Sequence, residues 1–381
     1  MLNDDQLKIV YEKSKSILVL AGAGSGKTKV IVERMNHLIK EGVKPEEILS
    51  LTFTKKAAEE MKKRSDERIN SYTFHGYCYE LLKDKMNFNV FEHNKAFSKQ
   101  DLLEISNYKN SLKRLPKPKV YLRYKTFLKE NHLLDFDDLL YESIPYIHQH
   151  KFKYIFIDEF QDTNLLQFKL LKKMIKSDTH VMAVGDPDQS IYAFRGAKVG
   201  LIDVFVNTFN AKVMYLNQNY RSTQTILDAA NRYIHKNMNR YKKSLKSDHR
   251  NVLEPLIYIG NKSFQEQKII ELIRSIPSLD IAILYRNHDQ GARIKQILNR
   301  NYLFFVSCLT LHESKGLEFD AVFIIGCEVI PHDMNQTYLG LEEERRLLFV
   351  GITRAKKYLY LFSTKLTSTL KETKIKVIYT I

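Results

Sequence analysis

The stretch Ala21-Gly-Ala-Gly-Ser-Gly-Lys27-Thr28 stands between an apolar run, Ile17 to Leu20, and a helical pattern that begins at about Lys29. Glycines at 22, 24 and 26 let the chain curl tightly. Gly22, Ala23, Gly24, Ser25 and Gly26 can then aim backbone N–H groups, together with the helix N-terminus, at one anionic centre. Lys27 reaches the outer phosphates of a nucleotide, and Thr28 offers its hydroxyl to Mg²⁺. Ala21 replaces the first glycine of the general pattern and leaves three glycines in the loop. The bland alternative is a glycine-rich turn with an incidental lysine. A strand before the loop and an amphipathic helix after it favour phosphate binding.

At 381 residues the chain exceeds one compact core and implies two or three domains. The helix after the loop carries Val30, Ile31, Met35, Leu38 and Ile39 on one face and stops at Gly42. Strands are expected at Ile48 to Phe53, Tyr154 to Asp158 and Val181 to Gly185, with a strand-to-helix junction in Ser71 to Leu82 and helices over Lys55 to Ile69 and Leu165 to Ile175. Lys83 to His150 reads as a lysine-rich helical insertion broken by Pro116 and Pro118. After a break near Ala211 to Asn217, helices at Thr223 to Lys236, Phe264 to Ile276 and Gln290 to Asn299 alternate with strands at Leu256 to Ile259 and Ile281 to Tyr285. The last strands, Ala321 to Ile325 and Tyr358 to Phe362, flank a helix over Leu341 to Val350. Such alternation predicts parallel, doubly wound sheets.

Composition narrows the partners. Sixty Lys and Arg against 44 Asp and Glu give a net charge of +16, which favours a polyanion. No apolar run approaches a membrane span, and the acidic, polar start Met1-Leu-Asn-Asp-Asp lacks a secretory leader, so a cytoplasmic or nucleoid-associated protein with no membrane partner is expected. Cys78, Cys308 and Cys327 are too far apart for a disulfide framework or metal spacing and read as core residues.

A hydrolytic nucleotide site needs carboxylates beside the phosphate loop, and Asp158-Glu159 at the end of an apolar strand supplies them. Asp158 suits Mg²⁺ and Glu159 suits a water-polarising base. The acids of Leu134-Asp-Phe-Asp-Asp-Leu-Leu140 invite a metal reading, but acids clustered at a helix start more simply cap it.

Further strings follow in order: Leu2-Asn-Asp-Asp-Gln6, Leu51-Thr-Phe53-Thr-Lys-Lys-Ala-Ala, Thr73-Phe-His75-Gly, Asp158-Glu-Phe-Gln-Asp-Thr and Gly185-Asp-Pro-Asp-Gln189-Ser-Ile-Tyr192-Ala-Phe194-Arg195-Gly-Ala. Gln218-Asn-Tyr220-Arg221-Ser, Ala282-Ile-Leu-Tyr-Arg286, Leu311-His312-Glu-Ser-Lys315-Gly-Leu-Glu318-Phe and Glu343-Glu-Arg345-Arg346 through Thr353-Arg354-Ala complete the set. In that order, and nearly end to end, the chain resembles superfamily 1 DNA helicases of the UvrD/Rep/PcrA family.

The resemblance implies an α/β fold of two RecA-like P-loop NTPase domains, the first from 1–82 and 151–216 with the insertion 83–150, the second from 217–381. It implies ATP and Mg²⁺ as cofactors and a 3′-to-5′ motor on single-stranded or tailed duplex DNA. Gln6 would read the adenine edge, Tyr220 would stack on the ring with Arg34 nearby, and Glu318 would accept from the ribose. Arg221 and Arg354 would reach the γ-phosphate, and Gln189 would sense it. Phe53, Tyr192 and Phe194 match base-stacking positions, while His75, Arg195 and His312 are candidates for phosphate contacts, with buried hydrogen bonding as their alternative. Arg345 and Arg346 are expected to pair with Glu342 to Glu344.

Long members of the family carry a large helical insertion between the Ala-Ile-Leu-Tyr-Arg strand and the Leu-His motif. Here only the 22 residues Asn287 to Cys308 intervene, and no nuclease or partner-binding tail is expected after Arg354. A chain so reduced is expected to step along single strands and to need a protein partner for strong unwinding. A motor that separates strands poorly, or an ATP-gated DNA-binding module, are the alternatives.

Overall fold

The computed structural model describes residues 2–92, 95–149, 152–249, 253–276, 279–332 and 337–379. It divides into two compact units. The first comprises residues up to Ala21, Lys27–Asp186 and Tyr192–Leu216, and the second Gly22–Gly26, Pro187–Ile191 and the chain from Asn217 onward. Two short loops thus group with the second unit, although their flanking segments belong to the first. The expected insertion boundary at His150–Lys151 lies outside the described residues.

In the first unit, α1 (Asp4–Val10) leads into β1 (Ser16–Ala21), followed by α2 (Lys27–Lys40), β2 (Ile48–Thr52), α3 (Lys55–Arg64), β3 (Asn70–Thr73) and α4 (Phe74–Leu82). Asn3 caps α1 in a reciprocal box with Gln6, which satisfies two otherwise orphaned N–H groups. The whole of β1 is buried, as an interior parallel strand covered on both faces must be. Helix α3 stops at Arg64, short of the expected Ile69. Ser65 leaves helical geometry, and an Asp66–Arg68 side-chain pair shapes the turn that delivers buried Ile69 to β3.

The insertion contains β4 (Asn89–Val90), α5 (Lys99–Asn110), α6 (Tyr121–Glu130), β5 (Leu133–Leu134) and α7 (Phe136–Ser143). The β4–β5 pair is parallel and too short to show in a sequence pattern. Phe91, Phe97, Ile105, Tyr121, Tyr124 and Leu128 give this segment a core of its own.

The chain returns through β6 (Tyr154–Ile157), α8 (Leu165–Met174), β7 (His180–Gly185), α9 (Leu201–Phe209) and β8 (Lys212–Leu216). The boundary between the units falls at Leu216–Asn217, inside the expected break at Ala211 to Asn217, but most of that stretch is a strand. Lys212 to Leu216 pairs in parallel with β1, and as a sheet edge it is only partly buried and lacks a continuous apolar run. Among the described residues the first sheet has the order β3-β2-β6-β7-β1-β8.

The second unit holds α10 (Gln224–Ile234), β9 (Leu256–Ile259), α11 (Lys262–Ser275), β10 (Ile281–Tyr285), α12 (His288–Arg300), β11 (Ser307–Thr310), β12 (Phe319–Ile324), α13 (Tyr338–Ile352), β13 (Ala355–Ser363), α14 (Ser368–Thr373) and β14 (Lys376–Tyr379). These strands form a second parallel sheet, β11-β10-β12-β13-β9-β14. The short link of Asn287 to Cys308 is filled by α12 and the start of edge strand β11. Arg346 pairs with Glu342 at 3.2 Å as expected, but Arg345 turns to Glu372 at 2.9 Å. Free Cys78 and Cys327 are buried, which pushes both thiols up to about 12.

The acid cluster of the insertion caps α7, with Asp135 accepting from the Asp138 N–H at 2.8 Å. It also encloses Lys109, whose ammonium lies 2.7 Å from Asp135 and 2.6 Å from Asp138. Removing one partner strands buried charge, so Lys109→Ala should cost about 3 kcal/mol or more in a urea melt. A loss below about 0.5 kcal/mol would show that the ion pair is incidental. Burial, and then neighbouring Asp135, push Asp137 up to about 7 from 3.8. The folded state therefore holds this proton more tightly, and the group's stabilisation declines as pH rises from about 4 to 7. Across that window Asp137→Asn should gain stability relative to the parent chain, with a plateau above it; a pH-independent difference would contradict the assignment.

Candidate nucleotide and nucleic-acid site

In the first unit α2 begins at Lys27, directly after the glycine loop, whose Gly24 and Gly26 take φ of +64° and +80°. Such angles favour glycine and let the loop curl. The Lys27 ammonium lies 3.4 Å from the Glu159 carboxylate. Glu159 follows β6 in a left-handed conformation, φ 52° and ψ 42°, which costs a non-glycine residue on the order of 1 kcal/mol and marks a position held by its surroundings.

Gln161 supplies part of that hold. Its Nε2 donates to Glu159, and its Oε1 accepts from the Asp186 N–H at 2.8 Å. Gly185, the last residue of β7, makes room: a Cβ there would stand 2.6 Å from Gln161 Oε1. Asp158 is nearly buried, and its carboxylate accepts from the Glu159 N–H at 2.9 Å. Desolvation, followed by Glu159, pushes Asp158 up to about 7. A buried carboxylate crowded by another, and the Thr28 hydroxyl in the first turn of α2, are hard oxygen donors of the kind Mg²⁺ takes. No cluster of three or more His, Cys, Asp or Glu side chains placed to hold a metal ion occurs among the described residues.

Gln6 is buried at the start of α1, where its Oε1 accepts from the Asn3 N–H at 3.0 Å. Arg34, expected to lie near the adenine, is bonded within the first unit. Its guanidinium is buried and donates to the carbonyls of Ile9, Val10 and Glu12, so it fastens the end of α1.

In the second unit Asn219 organises the Gln218-to-Ser222 segment. Its Nδ2 donates to Ala23 O at 2.7 Å, and its Oδ1 accepts from the N–H groups of Arg221 and Ser222. Tyr220 N donates to Gly24 O at 2.9 Å while its ring stays exposed. Arg221 pairs with Glu318 at 2.8 Å, and Lys356 takes the other Glu318 oxygen at 3.0 Å. Glu318, expected to accept from the ribose, is paired with these two cations. Arg354 is buried and donates to Gln189 Oε1 at 3.3 Å, which joins two of the expected phosphate-sensing residues.

The nucleic-acid candidates of the first unit converge. Phe53 and Tyr192 stack with centroids 5.3 Å apart and planes 15° apart, and Phe194 lies 6.0 Å beyond Tyr192. The Arg195 guanidinium covers both Tyr192 and Phe194, at 5.3 and 5.4 Å. Phe53, His75, Phe136, Tyr192 and Arg195 line one cavity of about 550 Å³. Burial pushes His75 down to about 4, opposed only by Asp135, so at neutral pH it offers a hydrogen bond and no charge to a phosphate. His312 sits half-buried in the second unit, in the turn after β11. Sequence reading does not single out Gln161 or Asn219, because an amide that orients its neighbours carries no spacing signature; their places inside quoted motifs were the one available signal.

A phosphate loop at the end of a parallel strand, with its lysine facing an acid that follows another strand of the same sheet, defines a P-loop nucleotide-binding protein. The model of the UvrD/REP helicase N-terminal domain matches residues 2–114 and 89–210, and that of the UvrD-like helicase C-terminal domain matches 214–308 and 305–366. The chain belongs to the UvrD-like DNA helicase family. It is 31% identical to a Mycoplasma pneumoniae protein named "Probable DNA helicase", over 96% of this chain and 84% of that protein. It is 32% identical to a "Probable DNA helicase II homolog" of Mycoplasma capricolum, over 90% of this chain and 57% of that one. With the ATP-dependent DNA helicase PcrA of Bacillus subtilis it shares 35% identity over 78% of this chain and 49% of the relative. The chain spans about half the length of several curated relatives. No helix among the described residues is long and apolar enough to cross a membrane.

Gln161→Ala should lower kcat for ATP hydrolysis about 10- to 100-fold with little change in KM, the range for losing a group that orients a catalytic residue. Gly185→Ala should reproduce the defect by displacing Gln161. Normal turnover in both variants would remove Gln161 from the positioning of Glu159.

Proposed function

We propose that this chain is an Mg-ATP-dependent, 3′-to-5′ single-stranded DNA translocase with helicase activity. The observation that carries the reading is the Lys27–Glu159 pair beside the phosphate loop, within a unit that also carries the Phe53–Tyr192–Phe194 stack.

Loop N–H groups and Lys27 bind the phosphates, and Glu159, held by Gln161, accepts a proton from the attacking water. Thr28 and Asp158 are the residues that would hold Mg²⁺, which when bound neutralises phosphate charge. Gln6 and Tyr220 receive the adenine. Arg221 and Arg354 stabilise charge on the transferring phosphoryl group, and Gln189, bonded to Arg354, reports its presence. Stacked rings suit a motor indifferent to sequence, since every base has a π face.

Turnover should vanish in Lys27→Ala and Glu159→Gln, and fall about a thousandfold or more in Arg221→Ala or Arg354→Ala. Near-normal turnover in Arg354→Ala would refute its role. Tyr192→Ala and Phe194→Ala should hydrolyse ATP yet step poorly, each stack contributing about 1 to 3 kcal/mol per base; loss of ATP binding or unfolding would reassign the rings to packing.

The link of Asn287 to Cys308, occupied by α12 and the start of β11, leaves no room for a large second-unit insertion. The lone chain should therefore displace streptavidin from single-stranded DNA but unwind long tailed duplexes weakly unless a protein partner assists. Processive unwinding by the monomer would place the strand-separating element within the two units themselves.

A further inference from the structure

Arg354 and Gln189 meet at 3.3 Å, and both belong to the second unit. Arg354 lies just past α13 and is tied back to it, its Nε donating to Val350 O at 3.0 Å. Gln189 ends the short helical turn Pro187–Gln189, and its main-chain oxygen accepts from the Lys315 ammonium at 2.8 Å.

The neighbouring side chain in that turn, Asp188, is gripped by a fork. Arg240 Nε donates to one Asp188 oxygen at 3.2 Å and Nη2 to the other at 2.8 Å, and the two side chains are only 9% and 2% exposed. Paired bonds fix the plane of a carboxylate as well as its place, which a single ammonium such as Lys243, at 3.5 Å, does not. Arg240 is placed in turn by α13. The N–H groups of Met238 and Asn239 donate to buried Glu342 Oε1 at 2.7 and 3.0 Å, and Asn239 O accepts from Arg346 at 3.2 Å.

These bonds close a circuit within the second unit. Helix α13 holds Asn239, the adjacent Arg240 holds Asp188, the adjacent Gln189 holds Arg354, and Arg354 returns to α13. A shift at Arg240 therefore passes through one short turn of main chain to the Gln189 amide, and a displacement of about 1 Å that begins far from the chemistry costs on the order of a hundredfold in rate.

We propose that Arg240 is a positioning residue for ATP hydrolysis, which clamps Asp188 and thereby sets the Gln189 amide against Arg354. Arg240 acts through other residues, so its role rests on the reading of Gln189 and Arg354 given above.

Steady-state ATPase kinetics of the full chain with saturating single-stranded DNA test this in Arg240→Lys, Arg240→Gln, Gln189→Ala and the corresponding double variants, with a urea melt of each. Lysine keeps the charge and loses the fork. Arg240→Lys should lower kcat about 10- to 100-fold with KM for ATP little changed. In the Gln189→Ala background the same substitution should lower kcat less than about twofold, because the group it acts through is already gone. Arg240→Gln should repeat this pattern and decides the matter if the lysine variant melts under assay conditions. Equal losses in both backgrounds, a raised KM at parental kcat, or parental kinetics in both Arg240 variants would overturn the proposal while sparing the ATPase reading. Parental kcat in Gln189→Ala, or a parent chain with no DNA-stimulated turnover, refutes that reading and the role of Arg240 with it.

Discussion

Each sheet is parallel throughout, and a parallel sheet collects the C-terminal ends of its strands along one edge. Most of the candidate chemistry of the first unit depends on that constraint. The segments leaving β1, β2, β3, β6 and β7 carry Lys27, Phe53, His75, Glu159 and Tyr192, residues separated by up to 165 positions in the chain. Burial of the strands on both faces excludes water from the sheet, so its hydrogen bonds and register hold those termini in place.

Charge sets the second condition. Lys27 beside Glu159, and Glu159 beside buried Asp158, place one cation among two carboxylates where solvent screening is weak. Bringing phosphates and a divalent ion into that arrangement changes its balance, whereas an apolar site would respond to neither. The strained backbone of Glu159 is tolerated because Gln161 fixes its carboxylate and Gly185 leaves space for Gln161. In the second unit buried Asp188 likewise holds cations close, with Arg240 at 2.8 Å and Lys243 at 3.5 Å.

The elements most legible in the sequence were those with a strong local signal. The interior strands Leu256–Ile259 and Ile281–Tyr285 match their expected bounds because strands buried on both faces read as unbroken apolar runs. Edge strands β8, β11 and β14 escaped for the converse reason: they are partly exposed, and neighbours distant in the chain stabilise them. Asp135 was legible as a helix cap, since capping is local. Lys109 was not, because its partners lie 26 and 29 residues away and only the packing of α5 against α7 unites them.

The sequence by itself determined the phosphate loop, the acid pair after β6 and the family, because these depend on residue type at short spacing. Tertiary structure decided which side chains are already committed. Arg34 bonds carbonyls at the end of α1, Glu318 pairs with Arg221 and Lys356, and burial pushes His75 down to about 4. Residue type states what a group can donate or accept. Which partner it meets, and whether burial lets it keep a charge, depends on groups that only the folded chain brings within hydrogen-bonding reach.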